Sequence, residues 1–67
     1  MMDIELNGQP HRAAENQSVQ DLIEQLNLVH QALAVAINRE VLPRRLWPQR
    51  RLRANDQVDL VRPIGGG

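Results

Sequence analysis

Three glycines at the end of the sequence are the residues best suited to chemistry on the chain itself. Gly65, Gly66 and Gly67 follow the apolar run from Val58 to Ile64. Glycine has no Cβ, so such a segment is thin and adopts φ and ψ values that other residues avoid. It can enter a narrow channel and carry a terminal carboxylate to another protein's active site. The alternative is an ordinary frayed terminus, and the rest of the chain must decide between the two.

Few other side chains offer a reactive group. The chain has no cysteine, which excludes disulfides, thiolate metal sites and thiol nucleophiles. The two histidines, His11 and His30, lack the close spacing of metal ligands. Asp3 and Glu5 alternate along a strand-like segment, which places both carboxylates in water rather than in an acid–base pair. We therefore expect no bound metal or cofactor and no catalytic residue in this chain.

The length of the chain also argues against an autonomous enzyme. Its 67 residues make one small domain, and a domain of this size buries only about 60% of the surface of its unfolded chain. A roomy active site is hard to build in so small a core. The acidic start, from Met1 to Glu5, lacks a signal-peptide pattern, and no apolar stretch approaches the length of a membrane span. We expect a cytoplasmic protein with no membrane contact.

The formal charge is zero but is unevenly distributed. Residues 1–33 carry five acidic residues against one arginine, and residues 34–67 carry seven arginines against three acidic residues. Five of these form an arginine cluster: Arg44, Arg45, Arg50, Arg51 and Arg53. Trp47 is the sole aromatic residue, so the cluster lacks the interleaved aromatics of a nucleic-acid site, and we expect no nucleic-acid partner. A solvated face and a steering surface for an acidic partner both remain open for this cluster.

The first third of the chain predicts a hairpin followed by a helix. Met2 to Leu6 alternates apolar and charged residues, as a half-buried strand does, and Asn7-Gly8 is a strong signal for a type I′ turn. The return strand, Gln9 to Ala13, contains Pro10 and should therefore lie at a sheet edge.

The predicted helix begins after Ser18, a good N-cap residue, with Asp21 as its capping-box partner. Apolar residues at helical spacing then form one stripe: Val19, Leu22, Ile23 and Leu26. Asn27 is suited to the left-handed conformation that ends a helix.

The second half predicts a hairpin and a final strand. The third strand is marked by Leu33, Val35 and Ile37, and the turn Asn38-Arg39 leads to a short strand, Glu40 to Leu42, which Pro43 ends. Residues 44–53 are predicted to be irregular, with three anchors to the core: Leu46, Trp47 and Leu52. A turn at Asn55-Asp56 precedes the last strand, in which Val58 and Leu60 face the core.

This order of elements predicts an α+β domain of the β-grasp, or ubiquitin-like, class. A single helix should cover one face of a mixed four- to five-stranded sheet, with the first and last strands adjacent at its centre. A ferredoxin-like fold would need a second helix. We place the domain at residues 1–63 and a flexible C-terminal glycine tail at residues 64–67. Val61 should then lie on the open face of the sheet, where it and Ile64 could form a partner-docking surface.

A β-grasp domain that ends in glycines resembles the ThiS family of ubiquitin-like sulfur carriers. The resemblance covers essentially the whole chain, and its residues are Asn7-Gly8, Val19, Leu22-Ile23, Ala36-Ile37-Asn38, Leu42-Pro43-Arg44, Trp47, Leu52, Asp56, Val58 and Gly65-Gly66-Gly67. The chain departs from the family pattern at Asn55, where glycine is usual, but asparagine tolerates the left-handed region. Pro63 is a second departure, at the base of the tail.

The resemblance implies a carrier rather than a catalyst. A ThiF-like adenylyltransferase would use ATP to activate the terminal carboxylate of Gly67. Sulfur from a cysteine desulfurase or other persulfide donor would then displace AMP and leave a thiocarboxylate, the 1-thioglycine form of Gly67. A ThiG-like thiazole synthase would take that sulfur for the thiazole ring of thiamine. Gly65 and Gly66 would thread the tail into both active sites.

Two alternatives remain at this point. The small subunit of molybdopterin synthase uses the same chemistry in another pathway, but it is usually longer and matches residues 38–47 less well. The other alternative is a β-grasp interaction module in which the glycine tail is incidental and dispensable.

Overall fold

The structure, a computed structural model, describes residues 1–62 of the chain. Within that range the strands are β1 (Met2–Leu6), β2 (Gln9–Ala13), β3 (Ala34–Ile37), β4 (Glu40–Leu42) and β5 (Gln57–Val61). The α-helix α1 spans Val19–Gln25, and a 3₁₀-helix spans Arg44–Leu46. The predicted order of a hairpin, a helix, a second hairpin and a final strand is confirmed.

The strands of residues 1–62 form one mixed sheet in the order β2-β1-β5-β3-β4. β1 and β5 lie parallel at its centre, with Leu6 opposite Val58, and the other neighbouring strands are antiparallel. β2 is an edge strand, so the missing N–H of Pro10 disturbs no second ladder. This is the predicted β-grasp arrangement, with β5 between the two hairpins.

Both hairpin turns have the backbone conformation that their residues favour. Asn7 and Gly8 have φ values of 50° and 79°, and Asn38 and Arg39 have φ values of 52° and 70°. Positive φ at both central positions matches the right-handed twist of the flanking strands. Asn55, with φ of 70°, adopts the left-handed conformation expected of it at the position where the resemblance implies glycine.

The helix and the inner sheet face make the core. Ser18 caps the helix through a complete capping box: its Oγ accepts from the Asp21 N–H at 3.0 Å, and its own N–H donates to Asp21 Oδ2 at 3.1 Å. The core consists of Ile4, Ala13, Val19, Leu22, Ile23, Val35, Ile37, Trp47, Leu52 and Val58. Leu26 is partly buried against it. No helix among residues 1–62 is long and apolar enough to cross a membrane.

The segment from 44 to 53 is more ordered than the sequence predicts. Besides its 3₁₀-helix, it pairs with the start of α1: the N–H groups of Val19 and Gln20 donate to the carbonyls of Arg50 and Trp47 at 2.9 and 3.1 Å. Trp47 and Leu52 are buried as predicted, but Leu46 is only half-buried and lies outside the core cluster. Pairing to a helix terminus is a long-range contact, which local sequence patterns do not reveal.

Candidate functional site

The predicted tail, Ile64 with Gly65, Gly66 and Gly67, lies outside the described residues, as does the predicted domain boundary after residue 63. Their roles therefore stay predictions. The described part of the candidate site is the end of β5, because Val61 and Arg62 are the last described residues before the tail in the sequence.

Val61 lies on the open face of the sheet, as predicted, and is 59% exposed. The register places it opposite Ala34 of β3, and it places Ala36 opposite both Val41 of β4 and Asp59 of β5. Val41 is 77% exposed. Two exposed valines therefore flank two small alanines, and we call Ala34, Ala36, Val41 and Val61 the outer patch.

Sequence reasoning missed Val41. A usable signal was present, because Val41 and Leu42 are consecutive apolar residues in one strand, and successive side chains point to opposite faces. Leu42 packs against the core, so Val41 must face outward.

A polar network holds the start of β5. Asp56, only 5% exposed, accepts from Asn38 Nδ2 at 3.1 Å and from the Arg53 N–H at 2.8 Å. Arg50 Nη2 lies 3.2 Å from Asp56 Oδ2, the same oxygen that accepts the Arg53 N–H. Asn38 Oδ1 in turn accepts the N–H of Gln57 at 2.9 Å. The buried carboxylate is thus paired and hydrogen-bonded, as a buried charge must be.

The other end of β5 is held by a second asparagine. Asn7 donates its N–H to the carbonyl of Val58 at 2.9 Å, and its Oδ1 accepts the N–H of Leu60 at 2.8 Å. Both asparagines are the first residues of their turns. The sequence predicted the turns but not these side-chain contacts with β5.

The arginine cluster makes internal contacts that the sequence did not predict. Arg44 donates to the carbonyl of Val29 at 2.6 Å and lies 4.7 Å from the centroid of the Trp47 ring. Arg51 donates to the carbonyl of Asn16 at 3.0 Å. Together with the ion pair between Arg50 and Asp56, these contacts hold the segment 44–53 against the rest of the domain. Four of the five arginines are exposed, and among them Arg45 and Arg53 take no part in these side-chain contacts, which leaves them available to meet a partner.

The other polar candidates do not converge on a site. Among residues 1–62 there is no group of three or more potential ligands that could hold a metal ion. Asp3 lies 3.4 Å from Arg12 in an ion pair that is largely exposed on both sides. The pKa of the Asp21 carboxyl is lowered, chiefly by the hydrogen bond from the Ser18 backbone N–H and then by the Ser18 side chain and Arg51. That carboxylate serves the helix cap.

Comparison with known proteins identifies the family to which this chain belongs. The model of the ThiS family matches residues 4–67. The chain belongs to the ThiS family. It is 38% identical over 66 residues to the sulfur carrier protein ThiS of Escherichia coli, a match that covers 98% of this chain and 100% of that protein.

Two further relatives extend the comparison with the ThiS family. A crystal structure of the thiamine biosynthesis protein ThiS from Geobacter metallireducens superimposes with a TM-score of 0.83 at 33% identity, covering 98% of this chain and all of that one. A thiazole synthase of Magnetococcus marinus is 35% identical over 66 residues, which are 98% of this chain but 20% of that protein. The β-grasp fold predicted from the sequence is therefore also the fold of a ThiS relative.

Proposed function

We propose that this chain is a sulfur carrier protein of thiamine biosynthesis, and that Gly67 is the residue that carries the sulfur. The observation that carries the proposal is the family match, which runs through Gly67 and spans the full length of the Escherichia coli sulfur carrier. The chain is a co-substrate rather than a catalyst. A small core and the lack of cysteine fit that role.

The chemistry requires activation before sulfur transfer. The carboxylate oxygen of Gly67 attacks the α-phosphorus of ATP and expels pyrophosphate, which gives an acyl-adenylate with a good leaving group. The terminal sulfur of a persulfide then attacks the carbonyl carbon and displaces AMP. A thiol then attacks the sulfur atom that belongs to the donor in the resulting acyl disulfide. The thiol and the donor sulfur form a disulfide, and the thiocarboxylate of Gly67 is released.

Three partner classes follow from this sequence of reactions. A ThiF-like adenylyltransferase supplies the ATP site, a cysteine desulfurase or other persulfide donor supplies sulfur, and a ThiG-like thiazole synthase consumes it. The Magnetococcus marinus thiazole synthase supports the third class, because a fifth of its length matches this chain. Gly65 and Gly66 would pass the tail through both enzyme channels without side-chain bulk.

The outer patch is our candidate for the surface that docks these enzymes. Val61 and Val41 are large apolar side chains exposed on one face, and Val61 is three residues before Ile64, the first residue of the tail. Exposed apolar surface next to a reactive group is a common feature of interaction sites. Ile64 would extend the same surface towards the tail.

The comparisons do not favour the alternative of a molybdopterin synthase subunit, since the family model and the named carriers belong to thiamine biosynthesis. An interaction module with an incidental tail makes a different prediction, which is that Gly67 can be removed without loss of function. A cytoplasmic location stays a prediction from the sequence.

The test is intact mass spectrometry of the chain after incubation with the adenylyltransferase, ATP and a persulfide donor. The wild-type chain should gain the mass of one oxygen-to-sulfur exchange, and fragmentation should place it on Gly67. Deletion of Gly67 should abolish the gain, because it retracts the terminus by roughly 3.3–3.6 Å and a misplacement of about 1 Å can cost a hundredfold in rate.

Two controls accompany the deletion. Its free energy of unfolding should stay within about 0.5 kcal/mol of the wild-type value, as for other changes away from the core. Gly66→Ala should keep the same stability and slow the transfer through added bulk. Sulfur gain by the truncated chain, or none by the wild-type chain, would refute the carrier function and favour the interaction module.

A further inference from the structure

The side chain of Asn7 occupies a place in the sheet that a backbone carbonyl would normally take. In the parallel pair of β1 and β5, Glu5 and Asn7 donate their N–H groups to the carbonyls of Asp56 and Val58. Regular pairing would next bring the N–H of Leu60 to the carbonyl of Asn7. The chain turns away at Asn7, where φ is 50°, and Asn7 Oδ1 accepts that N–H at 2.8 Å instead.

This contact matters because of where β5 ends. The last backbone pair between β1 and β5 is Leu6 with Val58. On the other side, β3 follows β5 as far as the pair of Ala34 with Val61. Within residues 1–62, the bond to Asn7 Oδ1 is therefore the last hydrogen bond that the β1 side makes with the backbone of β5.

We propose that Asn7 is a positioning residue for sulfur loading: its side chain preorganises the end of β5, so that Val61 stays in the outer patch and the chain towards Gly67 leaves from a fixed point. The proposal rests on the carrier function proposed above. Without the Asn7 acceptor, Leu60 and Val61 would fray from the β1 side. The adenylyltransferase would then have to reorder them on every encounter, which weakens binding.

Asn38 provides a matched control at the opposite end of the same strand. It too is the first residue of a turn with positive φ, and its Oδ1 accepts the N–H of Gln57 at 2.9 Å. It also donates to the buried Asp56. Asn38→Gly should therefore lower global stability at least as much as Asn7→Gly, but it should leave Leu60 in place.

The experiment compares Asn7→Gly, Asn7→Asp and Asn38→Gly in the full chain, at a temperature where all are folded. Glycine keeps the positive φ of the turn and removes the acceptor, whereas aspartate restores an acceptor oxygen at the same reach. For Asn7→Gly we expect faster amide hydrogen exchange at Leu60 and larger backbone mobility at Val61 and Arg62, measured by ¹⁵N relaxation. The KM for adenylation should rise about three- to tenfold with kcat unchanged, since bound enzyme reorders the strand.

Asn7→Asp should restore slow exchange at Leu60 and the wild-type KM, and Asn38→Gly should leave both at wild-type values. An unchanged KM in Asn7→Gly, or an equal rise in Asn38→Gly, would overturn the positioning role. If the wild-type chain is never adenylated, the carrier function fails on its own. The amide exchange and ¹⁵N mobility then decide separately whether Asn7 orders the end of β5, and unchanged values in Asn7→Gly would refute it.

Discussion

Two valines of β5, three positions apart, have opposite environments. Val58 is fully buried in the core, whereas Val61 is 59% exposed on the open face. The alternation of a strand thus divides β5 into residues that stabilise the fold and residues that a partner can reach. The difference means that stability and recognition can be changed separately in a chain of only 67 residues.

The strongest test of the core between the helix and the sheet is the substitution Leu22→Ala. Leu22 is fully buried in the middle of the apolar stripe of α1. Truncating a buried leucine costs about 2–5 kcal/mol, which is a large share of the stability of so small a domain. We expect a largely unfolded protein in chemical denaturation followed by circular dichroism.

The exposed Gln25 on the same helix supplies the control for Leu22→Ala. Gln25→Ala should change the free energy of unfolding by no more than about 0.5 kcal/mol. A loss below about 1 kcal/mol for Leu22→Ala would contradict the assignment of that side chain to the core.

Asp56→Ala tests the polar network at the start of β5. The substitution leaves the N–H of Arg53 and the amide of Asn38 without their buried acceptor. Unsatisfied buried groups cost about 1–3 kcal/mol each. Because both donors are only part-buried, we expect the lower part of the range for two groups, a loss of about 2–3 kcal/mol, in urea denaturation. Asp56→Asn, which keeps an acceptor oxygen, should lose less, and equal losses would show that the hydrogen bonds are not what stabilises this corner.

Local patterns in the sequence predicted most of the elements that form the core. The alternation in Met2–Leu6, the turn residues Asn7-Gly8 and the helical stripe after Ser18 each carry their own structural information, and each is confirmed. The segment 44–53 was predicted less well, since its order depends on pairing with α1 and on arginine contacts. Such contacts join residues far apart in sequence and have no local periodicity.

The candidate site divides in the same way. The resemblance to the ThiS family led to Gly67, since the three glycines alone were equally consistent with a frayed terminus, and the alternation of β5 placed Val61 on the open face. The contributions of Val41 and Asn7 required the register of the sheet, because each acts beside a strand that is distant in sequence. Cross-strand neighbours are set by topology, and one strand alone does not reveal them.

The open face is tested by Val61→Asp. The side chain is exposed, so the free energy of unfolding should change by no more than about 0.5 kcal/mol. The substitution removes the apolar contact that the valine would make with the enzyme, and the new carboxylate would have to be desolvated on binding. We therefore expect the KM for adenylation to rise about tenfold or more. Steady-state kinetics with the adenylyltransferase provide the measurement.

Gln25→Asp is the matched control for Val61→Asp, because it introduces the same charge on the helix, in the opposite layer of the domain. Its KM should equal the wild-type value. A folded Val61→Asp protein that is adenylated with wild-type KM would exclude Val61 from the docking surface.

The smallest expected effect belongs to the helix cap and appears only in acid. Hydrogen bonds from Ser18 hold the pKa of Asp21 below its ordinary value of 3.8 in the folded chain. A carboxyl group whose pKa is lowered by folding stabilises the folded state above its unfolded pKa. This stabilisation is lost as the pH falls through the folded pKa. The difference in stability between the wild-type chain and Asp21→Asn should therefore be constant near neutral pH and should shrink below about pH 4.

An NMR titration of the Asp21 carboxyl separates the two hydrogen bonds behind this shift. Ser18→Ala removes the hydroxyl but keeps the backbone N–H, which is the larger cause of the lowered pKa. The pKa of Asp21 in Ser18→Ala should thus rise only part of the way towards its ordinary value. A complete return would show that the hydroxyl, rather than the N–H, dominates. Because the cap lies on the covered side of the sheet, sulfur loading at neutral pH should be the same in Ser18→Ala as in the wild-type chain, in contrast to Val61→Asp on the open side.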